Sequence, residues 1–162
     1  LPRGETGVIE VRGQNLFSGY WGLPEKTAEE MRADGFFITG DMGVMEMDGR
    51  LRIVGRAKDL IISGGYNIYP KEIELVLDAI DGVKESAVVG APHNDLGEGV
   101  VAILVAEREP VPDAVIEVAL DAKLARFNHP RRFFWVKDLP RNAMGKVQKN
   151  ALREMYGTAY ND

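Results

Sequence analysis

One lysine in this chain stands where a cation can be offered to a phosphate. Lys146 follows Gly145 in Pro140-Arg141-Asn142-Ala143-Met144-Gly145-Lys146-Val147-Gln148-Lys149. A lysine on a Pro/Asn/Gly loop is a mobile charge on an exposed tip, able to reach a neighbouring site. Taken alone, the Gly-Lys pair reads first as a solvated turn. It is not a P-loop, because the first glycine is missing upstream and Val147, not Ser or Thr, follows the lysine.

Two further segments have chemical content. In Phe36-Phe37-Ile38-Thr39-Gly40-Asp41 a carboxylate sits at a strand end after glycine. Such a group can accept two hydrogen bonds from a ribose diol, although alone it is also a turn aspartate. In Ile53-Val54-Gly55-Arg56-Ala57-Lys58-Asp59-Leu60-Ile61-Ile62-Ser63-Gly64-Gly65 a charged step separates two apolar strands. Its double glycine permits either close approach of a ligand to backbone or a sharp turn. His93 and His129 are the only histidines. They lie far apart in sequence, so no metal site is expected, and both are placed in surface or loop positions.

The elements that must hold these residues follow from periodicity and turn chemistry. Val8–Arg12 reads as a strand, and Gly13 to Pro24 as a loop carrying Tyr20 and Trp21. These two aromatics are expected to pack at a subdomain boundary. Thr27–Arg32 reads as a short helix with Thr27 as cap and Glu30 three residues on. Phe36–Thr39 is a strand, and Val44–Met47 and Leu51–Val54 flank the hairpin signal Asp48-Gly49.

After Arg56 the texture changes. Pro70 opens a helix with Ile73, Val76, Leu77 and Ile80 on one face, and Gly82 is expected as its C′ glycine. Ser86–Gly90 and Val100–Val105 read as fully buried strands. Pro112-Asp113 starts a helix whose stripe is Ile116, Leu120, Leu124 and Phe127, closed by Pro130. Phe133–Val136 is a strand with Phe133, Phe134 and Trp135 as core, and Asn150–Tyr156 a terminal helix. The fold class is α+β: a β-rich segment over residues 1–57, then a small domain over 58–162 with a short mixed sheet and packed helices.

Composition bounds the function. The chain has 162 residues, 45% of them apolar and 28% charged, enough for a real core. A net charge of −5 argues against nucleic acid as partner. No apolar run approaches the length of a membrane span. The absence of cysteine excludes disulfides and thiolate metal sites, and is compatible with the cytoplasm, the expected location. The chain opens at Leu1 without a leader and reads as a piece of a longer protein, with a processed mature chain as the alternative.

The segments, weak singly, form a pattern together. Gly19-Tyr20-Trp21, Thr39-Gly40-Asp41, Gly55-Arg56-Ala57-Lys58-Asp59 and Pro140…Gly145-Lys146 resemble, in order and spacing, the late motifs of the adenylate-forming superfamily. The resemblance covers essentially the whole chain. It implies that Asp41 holds the adenosine ribose hydroxyls and that Arg56 contacts the nucleotide. It makes Lys58 the hinge between the end of a large amino-terminal domain (1–57) and a mobile carboxyl-terminal domain (58–162). It makes Lys146 the catalytic cation of adenylation, also in contact with ATP. The implied reaction joins a carboxylate to AMP from ATP·Mg²⁺, then rotates the small domain so that a thiol attacks the adenylate.

Ser63-Gly64-Gly65-Tyr66-Asn67-Ile68-Tyr69-Pro70 is similar to the acyl-CoA synthetase version, which implies CoA contacts at Ser63, Gly64 and Gly65. Ile62 stands where luciferases carry a lysine, which counts against luciferase activity. The tail from Phe127 to Arg132 and from Leu139 to Asn150 is similar to malonyl-CoA synthetases. Malonate or a close dicarboxylate is therefore the expected acid, with a fatty or aromatic acid as the alternative. Arg131 and Arg132 either meet CoA phosphates or form a solvated pair. The Mg²⁺ ligands, the phosphate loop and the acyl pocket are expected in the missing amino-terminal domain, so the isolated chain should be inactive. An exposed, essential Lys146 would also suit a protein lysine acetyltransferase. A reading from another class makes the chain a non-catalytic module that serves as such a substrate.

Overall fold

A computed structural model describes residues 1–161. The chain divides into two compact units, Leu1–Lys58 and Asp59–Asp162.

The first unit holds β1 (Thr6–Val11), α1 (Pro24–Glu30), β2 (Phe37–Met45) and β3 (Leu51–Arg56). The strands form an antiparallel sheet in the order β1-β2-β3. The segments expected as two strands, Phe36–Thr39 and Val44–Met47, are one, kinked where the β2–β3 register shifts between Met42 and Gly43. The Asp48-Gly49 turn forms as expected, with the Asp48 carboxylate accepting from Arg50 N at 3.0 Å. The helix begins three residues before Thr27, because Pro24 supplies a preset φ at its first position. Thr27 Oγ1 instead accepts from Tyr20 N at 2.9 Å and donates to Leu23 O. Tyr20 donates to Glu30 Oε2 at 2.5 Å, and that carboxylate raises the phenol pKa above its ordinary value. Trp21, in contrast, is fully exposed. Only Val44 and Val54 are buried apolar residues here, while Val8, Met45, Leu51 and Ile53 remain exposed on the strands.

The second unit holds β4 (Ile61–Ser63), β5 (Tyr66–Ile68), α2 (Pro70–Leu77), β6 (Val83–His93), β7 (Gly97–Ala106), α3 (Asp113–Asp121), β8 (Arg132–Val136) and α4 (Lys149–Met155). Its sheet runs β5-β4-β7-β6, with β8 added parallel to β7, so the sheet is mixed and the class is α+β. The Val-rich runs of β6 and β7 are apolar on both sides because both faces are covered. One face carries a core with Ile73, Leu77, Val88, Leu104, Ile116 and Leu120, supplied in part by α2 and α3. The other carries Ala87, Val89, Val101, Ile103, Leu139 and Leu152, the last from α4. Burying each Val, Leu or Ile side chain here contributes roughly 1.5–3 kcal/mol. Phe133, Phe134 and Trp135 pack, partly buried, against these two cores.

Two expectations shift. The α3 stripe ends early: Ile116 and Leu120 are buried, but Phe127 sits in a 3-10 turn, 47% exposed. Gly82 does not cap α2, which ends at Leu77 and unwinds through three-residue turns to Ile80. Gly82 instead has φ +92 at the start of β6, and a Cβ there would lie 2.8 Å from Val111 Cγ1. Gly82→Ala is therefore expected to cost about 1–2 kcal/mol from the left-handed backbone alone. A urea midpoint unchanged from wild type would contradict that.

Among the described residues no helix is long and apolar enough to cross a membrane.

Candidate functional site

Asp41 and Arg56 face each other as partners across β2 and β3. Arg56 Nε lies 2.9 Å from Asp41 Oδ1, and Arg56 Nη1 donates to Thr39 O at 3.4 Å. Asp41 N donates to Thr39 Oγ1 at 3.1 Å, and that hydroxyl donates to Ile9 O at 2.8 Å. Gly40 makes this possible: its φ is +74, and it passes beneath the guanidinium, whose Nη1 would lie 3.5 Å from a Cβ. With both side chains partly exposed, the pair adds little stability. Its effect is orientation, because Arg56 holds the Asp41 carboxylate through Oδ1. Such a carboxylate can accept from a hydroxyl pair. Lys58 is exposed at the end of the same unit, inside a 3-10 turn spanning Ala57–Asp59.

In the second unit, Ser63 ends β4 opposite Tyr66, and Gly64 and Gly65 form the β4–β5 hairpin turn. Both glycines have positive φ, +57 and +82, as a two-residue primed turn requires. The turn reading of the double glycine is therefore met, and a Cβ on Gly65 would meet nothing within 4 Å, so that face of the turn is open. Ser63 is buried, at 8% exposure, so its hydroxyl is less available than its neighbours' backbone. Beside the turn lies a cavity of ≈180 Å³ lined by Gly64, Tyr66, Leu96, Phe127 and Arg131. Tyr66 and Phe127 stack there with ring centroids 4.5 Å apart. That stack closes sequence-distant residues and no local pattern announced it.

Lys146 does not ride on a slack tip. Arg141 pairs with Val147 in an antiparallel bridge, and the loop between them closes with Gly145 at φ +77. Asn142 Oδ1 accepts from Met144 N at 3.0 Å and Lys146 N at 2.9 Å. Gly145 N donates to Asn142 O, and Arg141 Nη1 donates to Gly145 O at 2.7 Å. Arg141 also pairs with Glu85 of β6. Lys146 thus stands on the return limb of an ordered hairpin, exposed, and its ammonium has no protein partner among the described residues. An uncompensated cation on a preorganised loop is what charge stabilisation needs.

His93 ends β6 and His129 stands in the loop before β8, as expected for a loop position, and both are partly buried. His93 meets the Tyr160 ring at 4.9 Å, and His129 Nε2 lies 3.3 Å from Leu124 O. Arg132 bonds Ala159 O and lies over the Tyr160 ring, so it is engaged within the protein. Among the described residues no group of three or more His, Cys, Asp or Glu could hold a metal ion.

The fold and these motifs define a class. Residues 72–146 match the model of the AMP-binding enzyme C-terminal domain family, a match that ends on Lys146 itself, and acyl-CoA ligases are among the chain's homologues. The chain is similar to ATP-bound MatB from Rhodopseudomonas palustris, with 55% identity and a TM-score of 0.89 over 99% of this chain and 32% of that one. It is 45% identical to the 3-[(3aS,4S,7aS)-7a-methyl-1,5-dioxo-octahydro-1H-inden-4-yl]propanoyl:CoA ligase of Rhodococcus jostii, over 93% of this chain and 30% of that protein. It is 40% identical to a long-chain-fatty-acid–CoA ligase of Mycobacterium tuberculosis, over 95% of this chain and 32% of that protein. The chain thus spans about a third of the length of these relatives.

Proposed function

We propose that this chain is the carboxyl-terminal part of an ATP-dependent acid:CoA ligase acting in the cytoplasm. In this reading Lys146 neutralises charge as the carboxylate attacks the α-phosphate, and Asp41, oriented by Arg56, accepts from the ribose diol. Lys58 is the hinge. The Gly64-Gly65 turn then borders the thiol of CoA, its open glycine face admitting a narrow chain. The observation that carries the reading is the Lys146 hairpin, an unpaired cation on a hydrogen-bonded loop at the end of the matched family segment. The exposed apolar residues of β1 to β3 support a further part of the reading, that residues 1–57 close a larger domain supplying the phosphate loop, the Mg²⁺ ligands and the acyl pocket.

Malonate, or a close dicarboxylate, is the proposed acid. Support comes from the tail residues 127–132 and 139–150 and from the 55% identity to MatB. A fatty or aromatic acid is the second reading, favoured by the fatty-acid and ring-bearing relatives. ATP–pyrophosphate exchange on the full-length protein with malonate, methylmalonate, acetate and fatty acids separates them. Greatest exchange with malonate is expected; greatest exchange with a fatty acid selects the second reading, and none with any acid sinks the ligase reading. Exchange by the 162-residue chain alone would sink the proposal that it is a part. In the same assay Asp41→Ala is expected to raise the KM for ATP by about 10–100-fold, the range for a hydrogen bond to a charged group. The exposed Lys146 also meets the access that an acetyltransferase needs. Acetylation would remove its charge.

A further inference from the structure

We infer that Glu74 and Lys149 are positioning residues, a clasp around the open edge of the sheet that holds the Lys146 hairpin in place. β6 is the outermost strand of its sheet. α2 packs on one face of that sheet and α4 contributes Leu152 to the other. Glu74 lies on the apolar side of α2, only 7% exposed. Its Oε1 accepts from Val88 N at 2.9 Å, so it satisfies a backbone donor on the edge strand. The same oxygen lies 2.5 Å from Lys149 Nζ, the first residue of α4. One carboxylate therefore joins α2, β6 and α4, and the ion pair wraps from one layer to the other past the strand edge.

A carboxylate this buried is costly unless it is paired and hydrogen-bonded. Both conditions are met by groups whose positions fix the hairpin. Lys149 lies three residues after Lys146. Gln148 N donates to Pro140 O at 2.8 Å, tying the start of α4 to the other hairpin limb. Arg141, on that other limb, pairs with Glu85 of the same edge strand. The hairpin is thus anchored at both ends, directly to β6 through Arg141 and Glu85, and through Lys149 to Glu74 of α2, whose carboxylate also holds Val88 N of β6. The far end of α4 is fixed as well, by Arg153 on Asp59 at 2.7 Å, the residue that opens this unit. Given the proposed role of Lys146, on which the functional part of this inference rests, the clasp sets where the catalytic cation stands on its unit.

Amide hydrogen exchange on this chain tests the clasp without reference to activity. In Glu74→Gln and Lys149→Met, the amides of Asn142–Gln148 are expected to exchange about tenfold faster, the loss of one charged hydrogen bond. Those of Val101–Val105 in β7 should keep their protection, and Lys149→Arg should restore the hairpin to wild type. An unchanged hairpin, or a uniform loosening that includes β7, overturns the inference. If Glu74→Gln does not fold, the Lys149 pair of variants carries the test alone. In the intact ligase, Lys149→Met is expected to lower kcat for adenylation about tenfold with the KM for ATP little moved, and to leave thioester formation from supplied acyl-adenylate intact. A loosened hairpin with unchanged adenylation overturns the positioning role. Inactive wild-type ligase would instead count against the proposed function, and the exchange data alone would then decide the clasp.

Discussion

Lys146→Ala in the intact ligase is expected to slow adenylate formation by about 10²–10³-fold, the usual cost of deleting one preorganised group from a transition state. Thioester formation from supplied acyl-adenylate is expected to continue at close to the wild-type rate. The asymmetry follows from position and charge. In the proposed reading the ammonium needs no proton transfer to act, and it acts only where charge develops on the α-phosphate. In the second half-reaction the phosphate is a leaving group and, in the proposed cycle, the hairpin has moved away. The ordered loop sharpens the expectation. Asn142 and Arg141 hold the backbone of residues 142–146, so truncating the exposed Lys146 side chain should leave the hairpin's own bonds in place. Separate assays of the two half-reactions check this. Equal loss in both would remove Lys146 from its assigned role.

Leu152→Ala is the corresponding expectation for the fold. Leu152 is 1% exposed and packs in the core beneath α4 with Ala87, Val89 and Leu139. Truncating a leucine so enclosed typically costs about 2–5 kcal/mol, from lost transfer energy and the residual cavity. For a unit of this size each kcal/mol lowers Tm by roughly 4–8 °C. Thermal unfolding followed by circular dichroism should therefore shift by about 8 °C or more. Val118→Ala serves as the control, since Val118 is on α3 but 70% exposed and should change stability by under about 0.5 kcal/mol. A shift for Leu152→Ala no larger than for Val118→Ala would mean that α4 is not packed on the sheet.

Much of the fold was legible because local periodicity and tertiary burial agree in it. Ile73 and Leu77, Ile116 and Leu120, and the Val runs of β6 and β7 are buried where their spacing places them. Where the sequence misled, a neighbour outweighed the local signal. Thr27 looks like a cap, but Pro24 starts the helix and leaves the threonine hydroxyl to Tyr20. Phe127 extends an apolar stripe on paper, but the helix has already ended, and its ring meets Tyr66 instead. Gly82 looks like a helix stop and is a left-handed step into a strand.

The sequence by itself determined the ordered set of motifs through Asp41, Arg56, Lys58, Gly64-Gly65 and Lys146, and with it the family. It could do so because those residues are read by type and spacing alone. Tertiary structure alone decided which side chains support them. That Arg56 orients Asp41 depends on the register of β2 against β3. That Lys146 sits on a braced hairpin depends on Glu85, far upstream, reaching Arg141. Glu74 left one trace in the sequence, a carboxylate on the apolar face of α2. Its partner could not be read there, because Lys149 meets it only once two helices have packed on opposite faces of the sheet and its edge strand lies between them.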